Sequence, residues 1–512
     1  MTHNFFKKVI LRDWLFISLA GLILFAVFFA SRLYHLTIIP VFADEAIYIR
    51  WSQVMKSEPS LRFLPLSDGK QPLFMWLLMP ILSFFKDPLF AGRFLSVLSG
   101  SASLVGLAFL TFLITRSIKT SFFTAFLYLI LPYAFFLDRV ALVDSLLMAF
   151  GIWTFIFTFL LMRFRRLDLA ILTGMILGGG LITKSPALFF ALLMPISLLL
   201  LNFRQKSFFK TLLKYAALFL VAYVFAFCIY NLLRLGPNFQ MLSSRNQDYV
   251  FSIKEILKHP LDPLLVHLRD ISHWFPNLFT WPVLIFSTLG IFIGLLDKKK
   301  RKISLVLLAW FVIPVMVQSS FARVFTPRYL FWTIFPLFVF GAFSFEFLWK
   351  KFKDRPHFAL LMILLLTVLP LRYNYLLATD PQRAPLSEPK RSGYLEKWTS
   401  GYGIVEVRDY LVAAAEKDHL NVGTEGYFGT LPDGLQIYFD KDSRVTIFGV
   451  GLGLTKIPDA LIESADKKEA RTFLVVNQSR MKVGDPRLEL IFKVPKAVGK
   501  TDQDYLLFYE VK

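Results

Sequence analysis

The chain has 512 residues, of which 56% are apolar and only 18% charged, with 57 Phe and 10 Trp. Soluble domains sit near 45–50% apolar and about 25% charged, so an ordinary cytosolic enzyme is excluded. The formal charge of +21 is unevenly placed. Residues 379–512 carry 19 Lys+Arg against 20 Asp+Glu, whereas residues 1–378 carry 38 against 16. A basic excess confined to the apolar part argues against nucleic-acid binding and for membrane topology. The single cysteine, Cys228, excludes an intramolecular disulfide and a Cys-built metal site, and its apolar helix suggests a packed thiol.

A membrane span needs roughly 17–25 mostly apolar residues. On that measure there are eleven, at 13–33, 89–115, 120–137, 141–162, 168–183, 186–203, 211–232, 276–296, 303–322, 328–348 and 357–377. The first follows Lys7, Lys8 and Arg12, is too long for a signal peptide and has no convincing cleavage site, so it reads as a retained span with a cytoplasmic N-terminus. The segment 72–85 is short and interrupted by Pro80, and reads as a helix at the outer interface. Leaving it out of the count collects 21 of the 38 basic residues on one side: the N-terminal three, Arg116 and Lys119, the 163–166 and 204–214 loops, 298–302 and 350–355. That is the positive-inside pattern. It makes residues 1–378 a membrane domain with outer loops 34–88 and 233–275, and places residues 379–512 outside the cytoplasm.

After the polar linker "TDPQRAPLSEPKRSG", helical and strand patterns alternate. Helices are expected near 404–418, 430–439 and 458–468, and strands near 420–424, 444–448, 471–477, 488–494 and 504–510. The rhythm predicts a small α/β domain. "GVGLGL" at 449–454 lacks a strand–turn–helix context and reads as a loop. No internal repeat is evident. The fold class is thus a polytopic α-helical membrane protein carrying an extracytoplasmic α/β domain.

Ionisable residues in or beside spans are costly and mark sites. Here they gather at one depth, the outer face: Asp44 and Glu45, Lys70, Asp138, Arg139 and Asp144, Lys184, and Arg323 and Arg328. Each alone has an ordinary reading, as a solvated loop pair, a structural ion pair such as Asp144 with Arg139, or a snorkelling cation. Their coincidence on one face suits an anionic headgroup together with a group that needs a base. His35, His259, His267 and His273 are scattered, with no pair at metal-ligand spacing.

The acid pair in the first outer loop resembles the hallmark of the GT-C superfamily of membrane glycosyltransferases. Further segments look like its family 39-like branch, which includes protein O-mannosyltransferases and the prokaryotic lipid A aminoarabinose transferases. "KQPLFMW" (Lys70–Trp76) resembles that branch's Lys-Pro-Pro-Leu-aromatic-Trp segment, with Gln71 replacing the first Pro. "RVALVD" (Arg139–Asp144) resembles its Arg-x-Ala-x-x-Asp stretch. "TKSP" (Thr183–Pro186) resembles Thr-Lys-Gly-Pro, with Ser185 replacing Gly, and "PRYLFWTIFP" resembles the late Pro-Arg-Tyr-Leu segment. The resemblance spans residues 1–378 and implies the GT-C fold, a polyprenyl-phosphate sugar donor, and a protein, lipid or glycan acceptor on the outer face of the cell membrane.

The residue types fit that chemistry. A carboxylate can take the proton of an attacking hydroxyl; Asp44 is the expected general base, with Glu45 and Asp144 as acidic partners. Fixed cations can stabilise the leaving phosphate; Lys70, Lys184, Arg328 and Arg139 are the expected set. A single displacement would invert the anomeric centre, and the prenyl chain would lie between spans 6–10. Asp44, Glu45 and Asp144 could hold a divalent cation, but the bases can neutralise phosphate without one, so no metal or other cofactor is expected to be required. The alternatives are a transporter or flippase of a lipid-linked anionic sugar, or a non-catalytic membrane scaffold. Transporters usually place charge near the midplane between repeats. The topology has its own test: a reporter fused after Ala378 should be active only outside the cytoplasm, and one fused near Lys300 only inside. The same side for both would mean a misassigned span.

Overall fold

The computed structural model describes residues 2–512 except 204–206, 441, 468, 483, 500 and 501. Arg204 and Lys206 of the expected basic loops therefore lie outside the described residues. Among the described residues, five helices are long and apolar enough to cross a membrane, two further bent pairs qualify together, and four shorter apolar helices complete the bundle. These correspond one for one with the eleven expected segments. Several are interrupted, and proline explains most breaks. The expected span 120–137 stops at Ile130 and restarts as Pro132–Leu137. The expected span 186–203 is three short helical stretches between Ser185 and Leu200, with Pro186 in the first and Pro195 opening the third. At 276–296 the helix Trp281–Leu296 meets Asp262–Phe279 at 109°, so residues 276–279 belong to the preceding helix. The hinge residue Thr280 has φ +64°.

Leu73–Ile81 is the expected short helix. At about 14 Å it cannot cross a bilayer, and it packs on the helix Ala43–Ser57. Cys228, expected in a packed core, is exposed, because its helix buries only a minor part of its surface against the bundle.

The last part of the chain holds a five-stranded sheet, with strands β1 (Leu420–Thr424), β2 (Val445–Gly449), β3 (Arg471–Asn477), β4 (Leu488–Pro495) and β5 (Tyr505–Val511). They lie in the order β2-β1-β3-β5-β4, with β1 parallel to β2 and β3, and β5 antiparallel to β3 and β4. The helix expected at 430–439 is only one turn, Asp433–Gln436. Contrary to expectation, "GVGLGL" does stand between a strand, β2, and a helix, Asp459–Lys467, although residues 455–458 separate the turn from that helix.

Two ion pairs inside the bundle are fully buried. Glu45 and Arg93 are fully buried and bidentate, with Nε to Oε1 at 2.9 Å and Nη2 to Oε2 at 2.8 Å. Arg93 also donates to the carbonyls of Leu36, Ile39 and Pro40. Glu45 further accepts from the N–H of Ala141 (2.6 Å) and Phe42 (3.0 Å). One side-chain pair thus joins the first outer loop, the second span and the turn before the fourth span. A second buried pair, Arg32 with Asp138 at 3.6 Å, fixes the first span, and Asp138 accepts from Tyr128 and Ser145. Arg93→Met should lower unfolding stability by about 3–5 kcal/mol, because Glu45 and three carbonyls lose a buried partner. Thermal or denaturant unfolding in lipid measures it; a loss below about 1 kcal/mol would mean the pair does not hold the loop.

Candidate functional site

Asp44 and Glu45 are neighbours in the first turn of the helix Ala43–Ser57, so their side chains diverge by roughly 100°. Glu45 turns inward to Arg93, and Asp44 turns out into an open cleft. The Asp44 carboxylate meets Arg328 Nη1 at 2.6 Å and Lys70 Nζ at 3.8 Å. Lys70 also lies 3.2 Å from Asp68 and over the rings of Tyr48 and Trp51. Lys184 pairs with Asp144 at 2.7 Å and stands over the Tyr329 ring. Asp144, expected as an acidic partner of the cations, with an ion pair to Arg139 as its ordinary reading, is held by Lys184.

These residues border two adjoining cavities. The larger, of ≈ 930 Å³, is walled on its apolar side by Leu188, Phe189, Leu192, Val317 and Phe321. The smaller, of ≈ 480 Å³, runs from Phe42 and Asp44 to Lys390, Tyr394, Trp398 and Phe428 in the last part of the chain. Both are lined by Asp44, Lys70, Arg328, Arg245, Tyr249 and Tyr329. Lys184 lines only the larger. Asp144 is buried behind Lys184. Arg139 lines neither cavity; it donates to the carbonyls of Tyr34 and His35 at 2.7 Å each and braces the end of the first span. Burial alone would raise the Asp44 carboxyl, but Arg328 and then Lys70 overcome it and hold the group at about 2. Asp44 is therefore an anion clamped by cations.

Local sequence explains the placement. Gly69 ends a short 3₁₀ turn in the left-handed region, φ +64°, and a Cβ there would lie 2.3 Å from Arg245 Cβ and 2.6 Å from the Met241 carbonyl. Only glycine lets the Lys70 loop touch the helix Met241–Tyr249. The two departures from the family pattern meet each other: Gln71 Nε2 donates to Ser185 Oγ at 2.8 Å, and the Leu73 N–H donates to the Ile182 carbonyl beside it. They tie the lysine loops 70 and 184 together.

Sequence reasoning did not single out Arg93, Arg245, Tyr249 or Lys390. Arg93 carried a usable signal, a charge one turn into an apolar span. The others lie in polar stretches without a pattern. Among the described residues, no group of three His, Cys, Asp or Glu side chains is arranged to hold a metal ion.

Residues 69–230 match the family of dolichyl-phosphate-mannose-protein mannosyltransferases. In fold, the chain is similar to ArnT from Cupriavidus metallidurans in the apo state, with 14% identity, TM-score 0.58 and 97% of each chain covered. It is also similar to the same protein bound to undecaprenyl phosphate, with 15% identity, TM-score 0.55, and 96% of this chain and 98% of that one covered. A third likeness is to the Archaeoglobus fulgidus oligosaccharyltransferase in complex with Zn and sulfate, with 13% identity, TM-score 0.51, and 88% and 68% covered. No curated protein matches in sequence. The chain has the fold of these structures, the GT-C fold, and its residues 69–230 resemble the mannosyltransferase family.

If Gln71 and Ser185 act as one unit, Gln71→Ala and Ser185→Ala should each lower unfolding stability in lipid, and the double variant should be no worse than either. The coupling should be about 1 kcal/mol. Additive effects in this double-mutant cycle would mean the hydrogen bond does not tie the two loops together.

Proposed function

We propose that the chain transfers a sugar from a polyprenyl-phosphate donor to an acceptor outside the cytoplasm, with inversion. The observation that carries this reading is that Asp44, alone among the carboxylates lining the two cavities, is common to both and is paired there with Arg328 and Lys70. A base shared by two cavities, with cations on one side of it, suits a donor in one and an acceptor in the other. The apolar wall of the larger cavity comes from the sixth and ninth spans and suits a prenyl chain. The ArnT structure bound to undecaprenyl phosphate and the archaeal enzyme with dolichol-phosphate support a lipid phosphate as the donor's carrier.

In the empty site Asp44 is a poor base, because Arg328 and Lys70 hold its proton affinity low. A donor phosphate competes for both cations and draws them away. The carboxylate then becomes more basic and takes the proton of the acceptor hydroxyl. The acceptor oxygen bonds to the anomeric carbon as the bond from that carbon to the phosphate oxygen breaks, and the polyprenyl phosphate leaves with the electron pair. Lys70, Lys184 and Arg328 stabilise its growing charge. Asp144 aims Lys184, Glu45 sets the angle of the helix bearing Asp44, and Arg139 braces the turn behind them; these three act as positioning residues. Cations occupy the carboxylates that would otherwise bind a metal, so no divalent ion is required. The C-terminal region 379–512 lies on the same outer side as the site, and the N-terminus lies in the cytoplasm.

Asp44→Asn should cut transfer from radiolabelled polyprenyl-phosphate sugars by about 10²–10⁴-fold, with donor binding kept or tightened because Arg328 and Lys70 lose a competing carboxylate. Lys70→Met and Lys184→Met should weaken donor binding and slow turnover together. Loss of donor binding in Asp44→Asn with fully active lysine variants would reverse these roles and favour metal coordination by Asp44. The pH profiles separate free and loaded enzyme. Asp44 near 2 in the free enzyme should leave kcat/KM flat on its acid side down to about pH 4. In kcat the acid limb should stand at higher pH, because the loaded Asp44 has lost its cations. Coincident acid limbs would contradict the exchange.

A further inference from the structure

In the smaller cavity, Lys70, Arg245 and Arg328 each face a carboxylate, Asp68 or Asp44. Lys390 does not. It is 4% exposed, and its ammonium makes no hydrogen bond, standing instead over the rings of Tyr133 at 4.6 Å and Phe136 at 4.3 Å. Two more buried donors in the same wall lack partners. One is the hydroxyl of Tyr394, whose ring stacks on Phe42 at 4.3 Å, and the other is the hydroxyl of Thr326. Leaving an ammonium and two hydroxyls unpaired away from water is costly, so the arrangement is incomplete without an oxygen-rich anion. Large rings are exposed beside them. Phe428 is 59% and Trp398 36% exposed, and the Arg480 guanidinium holds the Trp398 ring at 3.5 Å.

We propose that the segment following the last span builds the acceptor site, and that the acceptor is an acidic saccharide. Its carboxylate or phosphate is held by Lys390 and Tyr394, and its ring faces lie against Trp398 and Phe428. The proposal rests on the donor–acceptor reading of the two cavities. Its volume lies within the range of small-ligand clefts, roughly 300–1,000 Å³. A saccharide matches the set of orphaned donors with many oxygens and matches the flat apolar rings with its own faces, and the acid group supplies the charge that Lys390 lacks. Burial lowers the Lys390 ammonium to about 7, with Asp144 pulling it back up. A bound anion restores the charged form.

The test uses the full-length protein in lipid and measures equilibrium binding directly, without a donor. The probes are trigalacturonate, its carboxyl-reduced neutral counterpart, a phosphorylated hexose disaccharide, and an acidic Ser/Thr peptide of equal charge. An acidic sugar should bind well ahead of the neutral one, and the two acidic sugars separate carboxylate from phosphate as the preferred group. Lys390→Met should weaken the acidic sugar by roughly 30-fold or more and leave the neutral sugar and undecaprenyl phosphate unchanged. Lys390→Arg should retain most of the preference. Tyr394→Phe, which removes one hydroxyl and keeps the ring, covers the case in which Lys390→Met does not fold, and should also reduce the preference. Equal binding of acidic and neutral sugars, a preference surviving both variants, or tighter binding of the peptide would overturn the proposal. Because binding is read without transfer, acidic-sugar binding by a protein that ignores polyprenyl phosphate would leave this site standing and sink the transferase reading. The reverse result would do the opposite.

Discussion

The buried Glu45–Arg93 pair is the constraint on which the site depends. It is fully removed from water and bidentate; Glu45 also accepts from the N–H groups of Ala141 and Phe42, and Arg93 donates to three loop carbonyls. A buried pair of this kind adds little net stability over an apolar substitute, yet breaking it is expensive. Its value here is geometric. It fixes the angle of the helix Ala43–Ser57, and the next residue back, Asp44, then has one direction to face. An Asp-Glu dipeptide that reads as two acids is one structural ion and one exposed to the cleft.

Around Asp44 the cations are shared rather than spare. Arg328, Lys70 and Lys184 each have an acidic partner in the empty site. Such an arrangement keeps positive charge near the membrane boundary without leaving it unpaired. In the proposed transfer, an arriving phosphate would exchange partners instead of filling a vacancy, which couples donor arrival to the basicity of Asp44. Aromatic faces under Lys70, Lys184 and Arg328 let those cations move over short distances while remaining solvated by ring electrons.

Much of the fold was legible because lipid imposes a length and a hydropathy that a sequence must satisfy. Each of the eleven expected segments has a helical counterpart, and the five strands fall within a residue or two of expectation. What the periodicity hid was interruption. Proline at 132 and 195 and Thr280 with its positive φ stand at breaks in apolar runs that read as continuous. Within the site, Asp44, Lys70, Lys184 and Arg328 were visible as charges at one depth, and all four line the larger cavity. Glu45, Asp144 and Arg139 were equally visible but are turned away from it, because charge type says nothing about which way a side chain faces. Lys390 was invisible for the opposite reason. A lysine in a Pro/Ser-rich polar linker looks solvated until the chain folds it against Tyr133 and Phe136.

The most direct measurement is a structure of the protein with polyprenyl phosphate bound. The phosphate should lie among Lys70, Lys184 and Arg328, the Arg328–Asp44 pair should be open, and the Asp44 carboxylate should face the smaller cavity. A phosphate bound elsewhere, with Arg328 still at hydrogen-bond distance from Asp44, would contradict the exchange of partners on which the proposed transfer depends.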